Sequence, residues 1–582
     1  MTVYAAPVRD MRFLLHEVLD VSTALAGLPG LAEVDAGLVD AVLAEAAKVC
    51  EGAVFPANAA GDREGARLTP AGVVMPAAFH DAYRQWAEGA WTGIALDPAY
   101  GGQGLPRVVD FLVTEMVCGA SLAFSILPGL TRGAWQAIAA HASDDLKRRW
   151  LPKMATGEWT GAMALTEPQC GTDLGLLRTR AEPDGDGDGD TWRLTGSKMF
   201  ISAADHDLTD NVVHLVLARL PDAPPGTRGI SLFLVPKVLP DGRRNGWSVG
   251  SLEEKMGLHA SPTCVVNYDG AVGWLVGEPH RGLPAMFTMM NDERLFVGIQ
   301  GIGAAECAWQ TAAAYAAERL QGRAPDGPSR PDLPADPIIH HPDVARMVAI
   351  ARATTEGGRA LAAWVAVQLD RAERLPAGPE REAADDLVAL LTPVVKAAGT
   401  DFGFDACVLA QQVLGGHGYV REWGVEQLVR DVRVTQIYEG TNGVQALDLV
   451  GRKLLPDGGR LPRRLSALVD ADLPAMPPAL ADRLRRVLAA AARTVDDLPA
   501  ASATARAAAA TDILRLFALL SYGWMWGRMA TAAARGGEPF HADKQATAAA
   551  FARLLLPEAE TLAARIGAAL AEGQDWPSAA TA

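Results

Sequence analysis

Apolar residues recur at spacings of three and four through much of the first 160 residues, as in Leu38–Val49 and Val108–Gly119. These spacings place the apolar side chains on one face of a helix, so the region is predicted to be helical. From about Gly161 the pattern changes to short β-rich runs separated by Gly, Pro and Asp. The runs are Trp192–Leu194, Lys198–Ser202, Val212–Leu220, Ile230–Val235 and Thr263–Tyr268. They predict a compact, mostly antiparallel β domain between helical regions.

Helical patterning returns near Leu283 and continues to about Leu455, with a Pro- and Asp-rich surface loop at Ala324–Pro337. A Pro- and Gly-rich linker, Pro456–Pro462, precedes a last region rich in Ala, Leu and Arg. The predicted domains are an N-terminal helical domain (1–160), a middle β domain (161–280), a second helical domain (281–455) and an appended helical domain (456–582).

Length, charge and cysteine placement narrow the class of protein. A chain of 582 residues is too long for one hydrophobic core. Its net charge of −16 repels phosphate backbones, so nucleic acid is not the expected partner. The six cysteines are scattered without a CxxC pair, which predicts free thiols in a reducing cytoplasm. The apolar stretch Leu516–Gly527 is too short to span a bilayer, and we expect a buried helix and no membrane span.

Two local patterns resemble ligand-binding motifs, one for calcium and one for a dinucleotide, but each lacks a residue that the motif requires. The Asp- and Gly-rich run Asp184–Asp190 resembles a calcium loop, yet Thr195 stands where an EF-hand requires Glu. A solvated hairpin turn and no metal site are therefore predicted there. The run Gly301–Glu306 has Glu in place of the third glycine of a dinucleotide fingerprint, and it lies inside a helical pattern. A dinucleotide would need another architecture.

Two segments of the β region could contact a flat heterocycle. In Met163–Asp173, Thr166 and Thr172 offer hydroxyls and Gly171 allows close backbone approach, although a capped polar loop would look similar. In the segment 196–203, the period of two puts Phe200 and Ser202 on the same side of a strand.

Two later segments carry candidate binding and catalytic groups. In Gln412–Tyr419, three glycines in four residues could expose N–H groups to pyrophosphate oxygens, or could end a helix and begin a turn. In Arg430–Asn442, Glu439 lies in an apolar and aromatic setting next to Gly440. A lone carboxylate is more often solvated than catalytic, so this residue gains meaning only from the segments around it.

Taken in order, the four segments resemble the acyl-CoA dehydrogenase family over about residues 40–455, through LTEPQCGTD, QVLGGHGY and QIYEGTN. The appended region and the N-terminal YAAPVRDMRFLLHEVLD are similar to a subgroup of longer members, which includes methylmercaptopropionyl-CoA and broad-range bacterial fatty acyl-CoA dehydrogenases. The resemblance implies a mainly α fold with a middle, β-barrel-like domain. The other domains would be an N-terminal helical domain, a four-helix bundle and an appended helical domain.

The resemblance also implies an activity and its partners. A saturated acyl-CoA would be oxidised to a trans-2-enoyl-CoA by FAD, which is bound without covalent attachment at a subunit interface. Electrons would pass to an electron-transfer flavoprotein, and we expect a homodimer because the appended helices could occupy a face used for tetramers. Two alternatives stay open: an acyl-CoA oxidase that uses O₂, and a flavin-containing, DNA-associated member of the same fold.

The resemblance assigns roles to particular residues. Glu439 would be the base, with Tyr438 and Gly440 beside the substrate. The residues expected to contact FAD are Met163, Leu165, Thr166, Gly171, Thr172, Phe200, Ser202, Arg319, Gln412, Gly415, Gly416 and Thr441. Arg319 would reach the FAD of the neighbouring subunit.

The sequence departs from the family at two positions and offers a second candidate base. Gly443 and the dipeptide His341-Pro342 stand where the family often has glutamines that contact FAD. Glu293 occupies the position of the base in some members, and Arg294 matches an arginine near the CoA chain. We favour Glu439 because its IYEGT context is intact, and expect Glu293 to line the substrate pocket.

Overall fold

The fold is that of a computed structural model, which describes residues 2–185 and 190–572. The chain divides into two compact units. One unit is Ala41–Phe296, and the other joins the residues up to Asp40 with those from Val297 onward. The tip of the Asp- and Gly-rich run, residues 186–189, lies outside the described residues, and so does most of the predicted hairpin turn.

The region before the β domain is helical, as predicted. Its helices are Val8–Arg12 (α1), Val21–Ala24 (α2), Ala36–Val49 (α3), Phe55–Glu64 (α4), Ala77–Glu88 (α5), Arg107–Ala120 (α6), Leu122–His141 (α7) and Asp144–Ala155 (α8). A small hairpin, Arg67–Thr69 (β1) with Gly72–Val74 (β2), separates α4 from α5. Every residue of α6 is buried, so this helix is a core element with no solvent-facing stripe.

The β domain is one closed sheet. Its strands are Trp159–Ala164 (β3), Arg180–Pro183 (β4), Thr191–Ser202 (β5), Asn211–Arg219 (β6), Ile230–Pro236 (β7), Trp247–Leu252 (β8) and Thr263–Val276 (β9). Pairing runs from β6 through β4, β5, β9 and β7 back to β6, while β3 and β8 add to β6 and β9. Because most pairs are antiparallel and the ring closes, the predicted barrel-like β domain is confirmed.

The expected strand ends were wrong at two places. The runs Trp192–Leu194 and Lys198–Ser202 belong to one continuous strand, β5, and the last β run is longer than expected. Asp269-Gly270 reads as a turn, so the last β run was expected to stop at Tyr268. In the structure β9 continues to Val276, and the pair sits opposite a register shift between Leu194 and Thr195 of β5. Gly270 has φ +68° there, as an irregular residue inside a strand rather than at its end.

Long helices follow the sheet. They are Gly282–Glu318 (α9), Pro342–Arg374 (α10) and Pro379–Leu414 (α11), then the short Gly416–Tyr419 (α12), Val425–Val432 (α13) and Asn442–Asp448 (α14). The appended region contains Arg460–Asp472 (α15), Pro478–Asp497 (α16), Ala503–Ala533 (α17), Pro539–Leu554 (α18) and Glu558–Glu572 (α19). The fold class expected from the sequence, mainly α with a middle β domain, is therefore confirmed.

Helices α9 and α11 contact each other through the main chain of glycine residues. A Cβ atom added to Gly301 would lie 2.2 Å from the carbonyl oxygen of Gly399, and one added to Gly403 would lie 2.5 Å from that of Gly301. One added to Gly399 would lie 2.4 Å from the carbonyl oxygen of Gly298. The glycines around residue 301 thus serve a helix crossing, in agreement with the prediction that they are not a dinucleotide fingerprint.

A buried charge network joins α18 to helices of the bundle. The ammonium of Lys544 is fully buried and lies against the carboxylates of Asp10 and, at 2.7 Å, Glu356. Arg359 forms ion pairs with Asp10, at 2.5 Å, and with Glu306. Removing one member would leave a buried charge unpaired, so the appended helices are fixed to the bundle by charge as well as by apolar packing.

Helix α11 and the cysteines bear on two further expectations. Within the described residues, α11 is the one helix long and apolar enough to cross a bilayer, and 78% of its most apolar window is buried inside the protein. The core helix of a folded protein has this burial, so its length and composition are weak grounds for a membrane span. All six cysteines are buried free thiols, as the sequence predicts.

Candidate active site

The residues predicted to form the site lie in both compact units, and each group is described within its own unit. Ala41–Phe296 contains Met163, Leu165, Thr166, Gly171, Thr172, Phe200, Ser202, Glu293 and Arg294. The other unit contains Arg319, Gln412, Gly415, Gly416, Tyr438, Glu439, Gly440 and Thr441.

The loop after β3 lies alongside the end of β5. The backbone N–H of Met199 donates to the carbonyl of Thr166 at 3.0 Å, and Lys198 Nζ donates to the carbonyl of Leu165 at 2.9 Å. The structure therefore brings together two segments that are more than 30 residues apart in sequence. The sequence predicts that both segments contact one heterocycle.

A buried ion pair holds these two segments together. Lys198 is fully buried and donates at 2.8 Å to Glu167, which is 3% exposed. Glu167 also accepts from the backbone N–H groups of Arg178 and Thr179 and from the Thr179 hydroxyl. Burial alone would raise the pKa of Glu167, but Lys198 and these hydrogen bonds lower it to about 2, so the carboxylate stays charged.

Phe200 projects from this surface on a strained backbone. Its φ is +58°, at a register shift between Lys198 and Ile201, and the residue is 57% exposed. Ile201 is buried and Ser202 is half-buried, so Phe200 and Ser202 share the more open side, as the period of two predicts. An aromatic side chain with positive φ is uncommon and is typical of functional surfaces. Gly171 and Thr172 are exposed in the same unit.

Glu439 lies on a turn between a 3₁₀ segment, Arg433–Gln436, and α14. Its own φ is +55°, and its side chain is half-buried. Gly440 follows with φ +83°, and a Cβ atom there would lie 2.8 Å from Gln445 Nε2. Two consecutive left-handed residues reverse the chain sharply, which explains why glycine must follow the acid.

Neighbouring side chains hold the turn on both sides of Glu439. Asp401 accepts from Gln436 Nε2 at 2.6 Å and from Asn442 Nδ2 at 2.7 Å. Gln445 Nε2 donates to the carbonyls of Glu439 and Gly440, at 3.3 and 3.1 Å. These hydrogen bonds offset the free-energy cost of the strained backbone and limit the directions in which the carboxylate of Glu439 can point.

The residues flanking Glu439 are also anchored. The Tyr438 hydroxyl donates to Gln300, a fully buried residue of α9. Thr441 caps α14 by accepting from the backbone N–H of Val444 at 3.2 Å. Capping uses the hydroxyl predicted to lie near the flavin, while the side chain as a whole remains exposed.

The glycine-rich turn ends α11. Gly415 is the C-cap, with φ +58°, and its N–H donates to the carbonyl of Gln412 at 3.1 Å. Gln412, Gly415 and Gly416 are all exposed, so the helix cap also presents backbone to solvent. Both interpretations of this segment, a helix end and an accessible backbone turn, are therefore compatible with its geometry.

An aromatic cluster supports the region around this turn. His417 stacks on Trp423 with ring centroids 4.4 Å apart, and Tyr315 donates or accepts a hydrogen bond with His417 Nδ1 at 3.0 Å. Arg319 follows Tyr315 by one helical turn, just past the end of α9. Its guanidinium is exposed and makes no ion pair within the part of the chain that the structure describes.

Glu293 and Arg294 occupy a different setting, in the buried part of α9. Their exposed fractions are 2% and 7%. The carboxyl of Glu293 lies against Gly133 of α7, where an added Cβ atom would be 2.6 Å from Oε1. Their predicted roles at the substrate stay a prediction.

The residue before Glu293 is the centre of a buried ionic cluster. Asp292 pairs with Arg107 and, at 3.0 Å, with Arg132 Nε. Burial raises the pKa of Asp292, but the two guanidinium groups lower it to about 2. Arg132 also lies 3.3 Å from Asp110. No group of three or more His, Cys, Asp or Glu side chains is placed to hold a metal among residues 2–185 and 190–572.

Sequence reasoning did not select the side chains that hold the site. Glu167 and Lys198 lie inside the two chosen segments, and a lysine at a buried strand position was the available signal. Asp401 and Gln445 carry no such signal, because their partners are backbone and amide groups of a turn whose shape the sequence does not specify.

Models of protein families match nearly the whole chain. They are described as acyl-CoA dehydrogenase N-terminal domain (residues 40–158), middle domain (162–271) and C-terminal domain (280–455), and as acetyl-CoA dehydrogenase C-terminal like (463–572). The last match covers most of the appended helices.

Individual proteins are similar over nearly their full length. The chain is 42% identical to a 3-methylmercaptopropionyl-CoA dehydrogenase of Ruegeria pomeroyi, over 97% of this chain and 98% of the relative. It is 33% identical to the broad-specificity linear acyl-CoA dehydrogenase FadE5 of Mycobacterium tuberculosis, over 96% of each. The fold matches an acyl-CoA dehydrogenase from Bacillus anthracis crystallised with FAD, with a TM-score of 0.76, 21% identity and coverage of 93% and 90%.

Proposed function

The chain belongs to the acyl-CoA dehydrogenase family, and on this premise we propose that it converts a saturated acyl-CoA to a trans-2-enoyl-CoA, with Glu439 as the base. The proposal that this residue acts rests on the turn that carries it. Glu439 is half-buried on a strained backbone that Asp401 and Gln445 hold in place from both sides. A carboxylate fixed in this way can meet one particular C–H bond of a bound substrate.

FAD is the cofactor of this family, and the surface at the ends of β3 and β5 fits a flavin. Thr166 and Ser202 are half-buried polar side chains, Gly171 and Thr172 are exposed, and Phe200 offers an exposed aromatic face. The Glu167–Lys198 pair fixes the backbone from which several of these groups project. When bound, FAD supplies the two-electron oxidation by accepting the β-hydrogen of the substrate as hydride.

The residues of this chain handle the other hydrogen. The carboxylate of Glu439 takes the α-proton of the thioester, so that the C–H electron pair forms the new double bond as the β-hydrogen leaves. Tyr438 and Gly440 orient the acid, since one is anchored to Gln300 and the other permits the left-handed turn. Asn442 closes the turn against Asp401 on its far side.

We further propose a cytoplasmic homodimer that passes electrons to an electron-transfer flavoprotein. Large apolar side chains are exposed close in sequence to the candidate site, namely Tyr419 at 82%, Ile437 at 50% and Leu447 at 51%. Tyr419 is followed by Val420, which is 42% exposed, and an exposed apolar patch of neighbouring side chains favours a protein partner. The exposed guanidinium of Arg319 and the backbone of Gly415 and Gly416 could bind the pyrophosphate of a neighbouring subunit's FAD.

The assembly proposal has a direct test. Arg319→Ala should weaken FAD retention and loosen the subunits together, because one guanidinium would connect a subunit to its neighbour's cofactor. Sedimentation and FAD titration on the same preparation measure both effects. Unchanged FAD affinity in an intact oligomer would contradict this role.

The activity itself is tested by anaerobic titration of the purified protein with a panel of saturated acyl-CoAs. The panel should include 3-methylmercaptopropionyl-CoA and straight chains, because the two full-length relatives are described by these substrate classes. We expect the flavin absorbance to bleach with acyl thioesters. Bleaching by NADH and by no acyl thioester would reject the assignment. Hydrogen peroxide yield against reduction of an electron-transfer flavoprotein then separates dehydrogenase from oxidase.

A further inference from the structure

A groove of about 330 Å³ lies between helices α16 and α19 of the appended region. It is open because the two helices face each other with alanines, among them Ala490 and Ala559. Its floor is apolar: Val487, Leu556 and Ala559 line it and are each about 2% exposed. The groove therefore offers a narrow apolar surface of the width of a small side chain or alkyl group.

Three arginines of α16 line the same groove. Arg483, Arg486 and Arg493 are spaced by three and seven residues, which places them along one face of the helix. Arg486 lies 3.6 Å from Glu560 across the groove. Arg483 and Arg493 form no ion pair with any carboxylate in the described part of the chain.

Other arginines of this region do have acidic partners. Arg485, also on α16, pairs with Asp482 at 2.8 Å, and Arg565 of α19 pairs with Asp512 at 2.8 Å. The chain as a whole carries a net charge of −16, so carboxylates are abundant. Two guanidinium groups without a carboxylate, next to an apolar floor, form a local site of positive charge on an acidic protein.

We propose that this groove binds a small anionic amphiphile, a single alkyl chain that ends in a carboxylate or phosphate group. Ten residues of helix separate Arg483 from Arg493 by about 15 Å. The anionic head would therefore be bound by one of these two guanidinium groups, and the chain would lie on Val487 and Leu556 toward the other. Guanidinium groups bind both kinds of head through paired N–H donors. The volume is at the low end of the roughly 300–1,000 Å³ found for small-molecule sites. A protein partner would need about 800 Å² of surface on each side, far more than one such groove provides.

Equilibrium binding to the full-length, FAD-loaded protein tests the proposal. The probes are decanoate, decyl phosphate and, as the neutral control, decanol, each followed by isothermal titration calorimetry. We expect saturable binding of at least one anionic probe at one site per chain, and binding of decanol at least about tenfold weaker. The stronger of the two anionic probes identifies the head group, carboxylate or phosphate ester.

Variants connect this binding to the groove. Arg483→Gln with Arg493→Gln should weaken binding of the anionic probe about tenfold or more, and Ala563→Phe should fill the groove and abolish it. Arg485→Gln is the matched control, because it removes a paired arginine of the same helix, and it should leave binding unchanged. Turnover of acyl-CoA should be retained in all three variants, which shows that they are folded.

Four results would overturn the proposal. They are the absence of saturable binding, equal affinity for decanol and the anionic probes, equal affinity in the wild type and the double variant, and equal loss in Arg485→Gln. Binding that persists in both groove variants and is displaced by a substrate acyl-CoA would take place at the active site. That outcome would reject the groove as the binding site of the anionic probe. None of these results bears on whether Glu439 is the base.

Discussion

The turn that carries Glu439 and the segment of α9 that carries Glu293 place two acids in contrasting surroundings. Glu439 has φ +55° and is half-buried, outside any helix, whereas Glu293 is 2% exposed in the regular backbone of a long helix. Hydrogen bonds from Gln445 hold the backbone of the first, and the second lies beside arginine-paired Asp292. The strained backbone and the partial exposure of Glu439 favour it as the reactive carboxylate. The burial of Glu293 beside an ionic cluster favours a role in lining the substrate pocket.

The largest expected effect is on Glu439. Glu439→Gln keeps shape but removes the base, so flavin reduction by substrate should fall by several orders of magnitude, at or above the roughly 10²–10⁴-fold value of general-base catalysis. FAD content should stay unchanged. Stopped-flow absorbance under anaerobic conditions measures the rate. A variant that retains most of the wild-type rate would remove Glu439 from the mechanism.

Asp292→Asn should cost stability rather than chemistry. It removes the carboxylate that Arg107 and Arg132 share in a buried site, and breaking such a pair costs about 3–5 kcal/mol. Urea unfolding monitored by circular dichroism measures this change in free energy. Asp81→Asn is the control, because its pair with Arg84 is exposed to solvent and should contribute little to stability. Similar losses of unfolding free energy in the two variants would contradict the expected difference between a buried and an exposed ion pair.

Gly440→Ala tests whether the turn conformation matters. The residue has φ +83°, which strains an alanine backbone, and an alanine Cβ would press against Gln445 Nε2 at 2.8 Å, so the Gln445 side chain or the turn that it holds must shift. A strain of about 1–2 kcal/mol corresponds to a loss of roughly tenfold in the rate of flavin reduction. Gly443→Ala is the matched control, since its Cβ would have only Thr441 Oγ1 nearby, at 3.7 Å. Equal rates in the two variants would show that the catalytic acid tolerates a shifted turn.

The ionic cluster beside Glu293 also predicts a pH dependence. The folded pKa of Asp292 is about 2, below its ordinary value of 3.8. The stability that this group contributes is therefore present above about pH 4 and is lost as the pH falls toward 2. Between pH 6 and 3, the urea midpoint of the wild type should fall more steeply than that of Asp292→Asn. Parallel curves would show that the cluster does not depend on this charge.

The smallest expected effect on chemistry is that of Glu293→Gln. The substitution preserves volume in a packed site, so the flavin reduction rate should change less than about tenfold, while KM or the preferred chain length shifts. The panel of acyl-CoAs measures both. If Glu293→Gln abolishes reduction while Glu439→Gln stays active, the base belongs to α9. Comparable losses would indicate a coupled pair, whose pH profile reports both acids together.

Periodicity was enough to predict the fold class, but it did not give the strand ends. Helices such as α3 and α6 follow the spacing of apolar residues closely. The strand β9 runs past Asp269-Gly270 because pairing with β5 absorbs an irregular residue, and a local turn preference cannot reveal that tertiary compensation. The domain bounds at residues 160, 280 and 455 stay a prediction.

The segments that form the candidate site could be predicted from the sequence, whereas the hydrogen bonds and ion pairs that hold them are seen only in the structure. Thr166 and Phe200 could be selected because hydroxyl, glycine and aromatic residues cluster near them. Lys198 carried a signal of its own, but its pairing with Glu167 could not be predicted, because the two residues are 31 positions apart and only the folded sheet joins them. The same applies to Asp401 and Asn442, which are 41 residues apart. The roles of the candidate site residues await the variants above.

The crossing of α9 and α11 limits which sequences this fold can accept. At Gly301 and Gly399 the main chains are so close that even a methyl group would overlap a carbonyl oxygen. No rearrangement of side chains can relieve such an overlap, since the obstacle is backbone. Most core positions can exchange one apolar residue for another of similar volume. At these glycines, by contrast, every substitution adds a Cβ atom that overlaps the facing backbone. Random mutagenesis with selection for folded protein should therefore leave these glycines unchanged while the apolar residues around them vary.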